Sequence, residues 1–278
     1  MNRPIFSRAF FYLGAGTIVV YALFPFAWAA FSSLRSENGL FLPGLQSFLG
    51  PLTFKNYLTV LQDPRMLSSG INSIIVAVGT VSLSLLLGSL CAYALSRLPF
   101  RFKQPIVYLT VAMMIFPHIS LLAGLFFLLR IIGLYNTRSG LTLTYLVYAL
   151  PLTVLLLRGY FWNLPAELEE AAYIDGAGPL TVFWKILLPL SAPGLFTTTM
   201  LTFIGAWNEF LFALTFTTSD QARTLPVTIS TFGSRSYHEI PWGQILAASL
   251  LVSLPLLLFV AVFQSRIMAG ISAGAIRE

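Results

Sequence analysis

Long apolar stretches alternate along the chain with short segments that carry most of the charged residues. A membrane-spanning helix needs roughly 20 mainly apolar residues, and six stretches of this kind are present, each with at most one charge. The predicted spans are 9–31, 72–96, 105–129, 140–162, 195–217 and 243–266. Prolines inside them are tolerated because neighbouring helices satisfy the freed carbonyls. The pattern predicts an all-α membrane protein, a six-helix transmembrane bundle forming a single domain over 1–278.

The composition supports a membrane protein and excludes several other classes. Hydrophobic residues make up 57% of the chain and charged residues only 9%, whereas a soluble domain has roughly 25% charged residues. The net charge is +6, but the cations are scattered without a basic run, which argues against nucleic-acid binding. The single cysteine, Cys91, excludes an intrachain disulfide and a multi-cysteine metal site. We expect it to be a small buried apolar residue.

The first span has some features of a signal peptide. Arg3 and Arg8 precede an apolar run that ends near Ala27-Trp28-Ala29. Signal peptides usually have an apolar region of about 7–15 residues, and the run here is longer. We therefore predict an uncleaved membrane helix.

The positions of the cations predict an orientation. Arg97, Arg101 and Lys103 lie in the short loop 97–104, and short loops rich in Lys and Arg stay on the cytoplasmic side. This places both termini in the cytoplasm, the long loop 32–71 outside and the segment 163–194 inside. The predicted chain therefore crosses the membrane several times.

The segment 163–194 contains four of the ten acidic residues of the protein. Pro165 suits the first position of a helix, and glutamates in the first turns are favourable for the helix dipole. Gly176 and Gly178 supply a left-handed stop, after which Pro179 begins a second, apolar helix. The residues predict a short helix–turn–helix at the cytoplasmic face.

This helix–turn–helix admits two interpretations from its residues alone. Small side chains at Ala171, Ala172 and Ala177 let another backbone approach closely, and the carboxylates can meet basic groups of a partner. Alternatively, the segment is an interfacial helix that only connects two spans. The residue types do not separate a docking surface from a connector.

A resemblance favours docking. The run Glu170-Ala171-Ala172, then Gly176, then Ile186 and Leu188-Pro189, resembles the EAA loop of ABC importer permeases. The segments 92–97 (AYALSR) and 203–210 (FIGAWNEF) are similar to the carbohydrate-uptake branch of that family. The similarity extends over essentially the full length, with the maltose-transporter-type second permease as the nearest type.

The resemblance implies that the EAA loop is a coupling helix seated in a cleft of a cytoplasmic ATPase. The residues that it assigns to ATPase coupling are Glu169, Glu170, Ala171, Ala172, Asp175, Gly176 and Ala177. A phosphate-binding glycine-rich loop is absent from the sequence, so we expect no catalytic residue, metal or cofactor in this chain. ATP and Mg would be bound by the separate ATPase subunits.

The implied function is that of a permease subunit in a binding-protein-dependent sugar importer, located in the bacterial inner membrane. Its expected partners are a second permease in a heterodimer, two cytoplasmic ABC ATPase subunits, an extracytoplasmic solute-binding protein, the sugar and membrane lipid. The sugar would be an oligosaccharide, a disaccharide or a related polyol. The alternatives are the same importer class acting on another polar solute, such as glycerol phosphate, and a stand-alone secondary transporter.

A second candidate site lies in the fifth predicted span. Glu209 is the one acidic residue inside a predicted span, and a charge there should face protein or water. With Trp207 and Asn208 it can offer a stacking face and hydrogen-bond partners to a sugar. The alternatives are a packing contact with the partner permease and a position near the outer interface.

Overall fold

The computed structural model describes residues 5–36, 51–232 and 240–275, with side chains described over 10–36, 51–232 and 240–262. Residues 37–50 of the predicted outer loop, residues 233–239 and both chain ends lie outside these ranges. The regular elements within them are helical, and Arg35 and Leu52 form an isolated antiparallel bridge.

The helices are numbered here in chain order. They are α1 (Ile5–Ser33), α2 (Lys55–Gln62), α3 (Pro64–Arg97), α4 (Lys103–Ile115), a 3-10 turn (His118–Leu121), α5 (Leu122–Ile131), α6 (Arg138–Asn163), α7 (Glu167–Ile174), α8 (Pro179–Leu190), α9 (Ala192–Asn208), α10 (Leu211–Phe216), α11 (Leu225–Ser230) and α12 (Trp242–Ala275).

Four of the described helices, α1, α3, α6 and α12, are long and apolar enough to cross a membrane. Two bent pairs qualify only when each is counted as one span. These are α4 with the 3-10 turn and α5, bent by 99°, and α8 with α9, bent by 78°. The described residues therefore hold between four and six spans, and the count of six stays a prediction.

Two helix ends fall inside predicted spans. The third span, 105–129, is interrupted because Pro117 disfavours a helical conformation at the preceding residue, and Phe116 is extended with ψ 130°. The fifth span, 195–217, is interrupted where α9 ends at Asn208 and Glu209 is extended with ψ 128°. The bent pair there joins α9 to the preceding α8 and not to the following α10.

The chain divides into two compact units. The first comprises 1–66 and 229–255, and in it Asn56 links α2 to the end of α1. The Asn56 Nδ2 donates to the carbonyls of Ser33 and Arg35, both at 2.8 Å. The large apolar side chains of α1 from Phe10 to Trp28 are exposed within the described chain. Such a surface suits lipid or another membrane subunit and not water.

The second unit comprises 67–228 and 256–278, and α6 is its central described element. Helix α6 packs against α4, α9 and α10, and Tyr145, Leu157 and Phe161 along it are fully buried. Helix α3 also approaches α6 closely, because a Cβ at Gly88 would lie only 2.5 Å from the Cγ2 of Thr153. Glycine at this position permits the close contact between the two helices.

Candidate functional site

Helix α7 begins and ends near the positions that its sequence predicts. It begins at Glu167, two residues after Pro165, and its first turn contains three glutamates. At its end, the Gly176 N–H donates to the Tyr173 carbonyl at 3.0 Å and the Ala177 N–H to the Ala172 carbonyl at 2.9 Å. These two bonds form a Schellman motif.

Of the two glycines predicted to form the left-handed stop, only Gly176 adopts that conformation. Its φ is +81°, a value that L side chains rarely adopt. Gly178 has φ −81° and ψ 164°, an ordinary extended conformation that precedes α8. The prediction for Gly178 was wrong, because the Schellman motif requires only one residue with positive φ.

One face of α7 is buried against the rest of the second unit. Ala172 packs in a hydrophobic cluster, which we call the coupling-end cluster, together with side chains of α3, α6 and α8. Its buried members are Ala92, Tyr93, Leu157, Phe161, Ala172, Val182, Phe183 and Leu187. The cluster fixes both helices of the segment 163–194 on the ends of α3 and α6.

Helix α8 contains a widened turn. Residues Phe183–Leu187 are π-helical, and the Leu188 N–H donates to the Phe183 carbonyl. Pro189 has no N–H with which to continue the α-helical pattern, and π-helical residues occur mostly as single turns inside α-helices. The turn places Phe183 and Leu187 in the coupling-end cluster and leaves Trp184 half exposed.

A buried ion pair joins α7 to the end of α3. The Arg97 Nε lies 2.6 Å from the Glu169 Oε1, and an Arg97 terminal nitrogen donates to the Leu164 carbonyl at 2.6 Å. Glu169 is only 5% exposed. Burial raises the pKa of the Glu169 carboxyl, and the positive charge of Arg97 acts in the opposite direction.

Tyr93, one turn before Arg97, contacts both helices of the segment. Its hydroxyl donates to the Pro179 carbonyl at 3.2 Å and lies 3.4 Å from the Tyr173 hydroxyl. Its ring centroid is 5.3 Å from that of Phe183. The end of α3 therefore holds α7 and α8 by an ion pair, hydrogen bonds and a ring contact.

The opposite face of α7 is exposed. Glu167, Glu170, Ala171 and Ile174 recur at helical spacing and are all exposed, with Ile174 at 87%. An apolar side chain so exposed beside carboxylates, on a helix whose other face is fixed, can dock a protein with an apolar cleft and basic groups. We call the exposed residues Glu170, Ala171, Ile174, Asp175 and Gly176 the docking face.

The seven predicted coupling residues therefore separate into two groups. Glu170, Ala171, Asp175 and Gly176 lie on the docking face, whereas Glu169 and Ala172 are buried and Ala177 is half buried. The sequence prediction assigned no internal role to Glu169 and did not include Tyr93, Arg97 or Ile174. Two signals in the sequence could have indicated the buried face. Glu169 and Ala172 are three residues apart, which places them on the same side of a helix, and an arginine lies at the end of α3.

The second candidate site is not an open cluster. Trp207 is 5% exposed and stacks on Phe203 with ring centroids 5.7 Å apart. Asn208 is exposed, and its Nδ2 donates to the Ile204 carbonyl at 2.9 Å. The two side chains thus make contacts within α9 and do not form a shared surface with Glu209.

Glu209 accepts the free backbone N–H groups at the beginning of α10. Its two carboxylate oxygens accept the backbone N–H groups of Phe212 at 2.7 Å and Ala213 at 3.0 Å. The first N–H groups of a helix have no partner inside the helix, and a carboxylate is favourable at this end. The charge therefore stabilises the helix that restarts after the break.

Aromatic side chains surround this break. The ring centroids of Tyr145 and Tyr148 lie 5.8 Å apart, and the ring of Phe212 lies 6.5 Å from that of Tyr148. His118, after the break in the third predicted span, lies 6.0 Å from the Tyr148 ring and 6.2 Å from the Phe212 ring. The two helix breaks thus meet around the same aromatic side chains.

Metal binding is not indicated in the part of the chain that the structure describes. No group of three or more His, Cys, Asp or Glu side chains there is arranged to hold an ion.

Comparisons with known proteins extend these observations. The profile of the family described as "Binding-protein-dependent transport system inner membrane component" matches residues 84–270. The chain is 39% identical to the trehalose/maltose transport system permease protein MalG of Thermococcus litoralis, over 100% of this chain and 99% of that protein. It is 38% identical to the trehalose transport system permease protein SugB of Mycobacterium tuberculosis, over 97% and 98%.

The fold also matches a solved structure. A chain from the crystal structure of a bacterial ABC transporter involved in the import of the acidic polysaccharide alginate is similar, with a TM-score of 0.80 and 24% identity. The match covers 95% of this chain and 99% of that chain. The fold of the described helices is therefore that of a known membrane transport subunit.

Proposed function

This chain belongs to the family of binding-protein-dependent transport system inner membrane components, and from that premise we propose that it is a permease subunit of an ATP-driven sugar importer. It forms half of the transmembrane pathway for an oligosaccharide, a disaccharide or a related polyol. The similarity to trehalose and maltose permeases over essentially the whole chain supports this function most strongly. It also favours a sugar over the alternative solutes.

The permease itself performs no covalent chemistry in this proposal. Separate ATPase subunits bind ATP and Mg and hydrolyse the nucleotide, and a solute-binding protein delivers the sugar from outside. A second permease completes the pathway as a heterodimer. Both termini and the segment 163–194 lie in the cytoplasm, which puts the docking face on the side where the ATPases work.

The docking face is proposed as the contact with one ATPase. Ile174 enters an apolar cleft, and Glu170 and Asp175 meet basic groups at its rim. Their exposure, while the rest of α7 is fixed by the coupling-end cluster, supports this assignment. The small residues Ala171 and Gly176 allow the two backbones to approach.

Coupling then follows from differential binding. ATP closes the ATPase dimer, and a rigid contact transmits that closure as a rotation of the spans. The Arg97–Glu169 ion pair and the Tyr93 contacts support a rigid link from α7 to α3. Buried contacts of α7 and α8 with Leu157 and Phe161 extend the link to α6.

Reconstitution tests the proposed function. The chain is co-expressed with its chromosomal neighbours, purified through a tag on this chain, and placed in vesicles with ATP inside and the binding protein and labelled trehalose or maltose outside. We expect sugar accumulation that requires ATP, the binding protein and the ATPase. Accumulation by this chain alone would contradict the proposal, as would an ATP-dependent uptake restricted to non-sugar solutes.

A further inference from the structure

Two cations lie against one indole ring where α4 begins and α6 ends. The Lys103 Nζ lies 5.6 Å from the centroid of the Trp162 ring, and the Arg158 Cζ lies 5.9 Å from it. Trp162 is 54% exposed, so the indole is open on one side. We call Lys103, Arg158 and Trp162 the basic–indole cluster.

The charges of this cluster are not neutralised within the described residues. Neither Lys103 nor Arg158 has a carboxylate within 4 Å there. The Lys103 Nζ donates to the Ser96 carbonyl at 3.0 Å, which leaves further donors on the ammonium. The Arg158 Nε is buried without a hydrogen-bond partner in the described chain.

Nearby charges make the local potential more positive. Burial lowers the pKa of the Lys103 ammonium, and the positive charges of Arg158 and Arg97 lower it further. The buried carboxylate of Glu169 is bound to Arg97 and is not within ion-pair distance of the cluster. An anion would relieve this repulsion and complete the hydrogen bonding of the guanidinium.

The position of the cluster suits a membrane surface. Lys103 is the first residue of α4, and Trp162 is followed by Asn163, the last residue of α6. Tryptophan is enriched where apolar helices leave the hydrocarbon region, and lysine and arginine at helix ends extend towards the headgroups. The cluster lies at the same end of α6 as Phe161 of the coupling-end cluster.

We propose that the basic–indole cluster binds the phosphate of an anionic phospholipid headgroup in the cytoplasmic leaflet. The Arg158 guanidinium donates to two phosphate oxygens, and the Lys103 ammonium supplies the second positive charge. Trp162 packs on the glycerol region beside them. The site goes beyond the sugar-permease function and does not depend on which solute is transported or on the ATPase contact.

Lipid binding to the purified full-length chain tests this site. Native mass spectrometry in a neutral detergent compares phosphatidylglycerol with phosphatidylcholine of the same acyl chains. Inorganic phosphate is added as a competitor to separate a lipid site from a free-anion site. We expect at least tenfold tighter binding of phosphatidylglycerol, and millimolar phosphate should not displace it.

Variants then locate the binding. Lys103→Gln together with Arg158→Gln should lower the phosphatidylglycerol affinity to that of phosphatidylcholine. Lys185→Gln, which removes an exposed cation within the segment 163–194, should leave it unchanged. Thermal unfolding checks that each variant is folded. If the double variant does not fold, Lys103→Gln alone should lower the affinity at least threefold, and Arg158→Lys should retain most of it.

Three outcomes would overturn the assignment. Equal affinity for the two lipids would show no preference for an anionic headgroup. Displacement of phosphatidylglycerol by millimolar phosphate would identify a free-anion site. An unchanged affinity in the folded double variant, or in Lys103→Gln if only the single variant folds, would place the lipid elsewhere.

Discussion

The segment 163–194 and the break between α9 and α10 both interrupt helices and both contain carboxylates, but the fold uses those carboxylates differently. At the break, both oxygens of Glu209 accept backbone N–H groups of α10. In the segment, Glu169 is buried against Arg97, while Glu170 and Asp175 remain exposed. The comparison indicates that a charge already satisfied within the chain is structural. Exposed charges beside an exposed isoleucine are the better candidates for contact with a partner protein.

The largest loss of stability is expected from Arg97→Gln. Removing one member of a buried ion pair costs about 3–5 kcal/mol, because the other charge stays buried without compensation. The variant should therefore unfold at a markedly lower temperature and lose coupled uptake. Thermal unfolding of the purified chain measures the first effect.

Two controls interpret the Arg97 result. Arg101→Gln removes an exposed cation of the same loop and should leave the unfolding temperature unchanged. Adding Glu169→Gln to Arg97→Gln should recover part of the lost stability, because the uncompensated charge is then absent. Additive losses in the double variant would show that the ion pair does not join α7 to α3.

The next largest loss of stability is expected from Glu209→Ala. This variant distinguishes a structural role of Glu209 from a contact with the substrate. The change leaves the N–H groups of Phe212 and Ala213 without their acceptor, and a buried unsatisfied group costs about 1–3 kcal/mol. The unfolding temperature should fall even without sugar. That of Glu209→Gln should fall less, because one side-chain oxygen remains as an acceptor. A normal unfolding temperature with impaired sugar uptake would instead support the substrate contact that the sequence predicted.

A smaller effect is expected from Gly176→Ala. An L side chain in the left-handed conformation costs roughly 1–2 kcal/mol, and the space around Gly176 is open, so the cost is conformational and not steric. Gly178→Ala is the matched control, since its backbone is extended and its surroundings are also open. Equal unfolding temperatures for both variants would show that the Schellman motif contributes little.

The smallest effect on stability is expected from Ile174→Ala. An exposed side chain away from special features usually changes stability by less than about 0.5 kcal/mol. Leu187→Ala, in the coupling-end cluster, should in contrast cost about 2–5 kcal/mol. The unfolding temperatures of the two variants measure this difference, and a large loss for Ile174→Ala would mean that the docking face is covered by the chain itself.

The sequence predicted the family, the helical fold and the location of the acidic helix–turn–helix. Apolar length and the positions of glycine and proline are local signals, and they were sufficient for α7. They did not predict the break at Pro117, because proline was expected to be tolerated inside the third span. The family membership and the sugar relatives confirm the predicted type of permease. The number of membrane crossings and the coupling role of α7 stay predictions.

The direction of individual side chains was harder to predict. Glu169 and Glu170 are adjacent and chemically equal, and which one is buried depends on how α7 packs in the folded chain, where Ala172 lies in the coupling-end cluster and Arg97 pairs with Glu169. Glu209 has the same limitation, because the N–H groups of α10 that donate to its carboxylate exist only after the break has formed. The burial of Trp207 against Phe203 likewise depends on packing between helices.

The most direct test of the account is ATPase retention by Glu170→Lys in the complete importer. The tagged chain is purified with its partners, and the bound ATPase, the unfolding temperature of the chain and the coupled uptake are measured together. The account predicts loss of the ATPase and of uptake with an unchanged unfolding temperature, because Glu170 is exposed and makes no internal ion pair in the described chain. Full ATPase retention with normal uptake would contradict the assignment of the docking face.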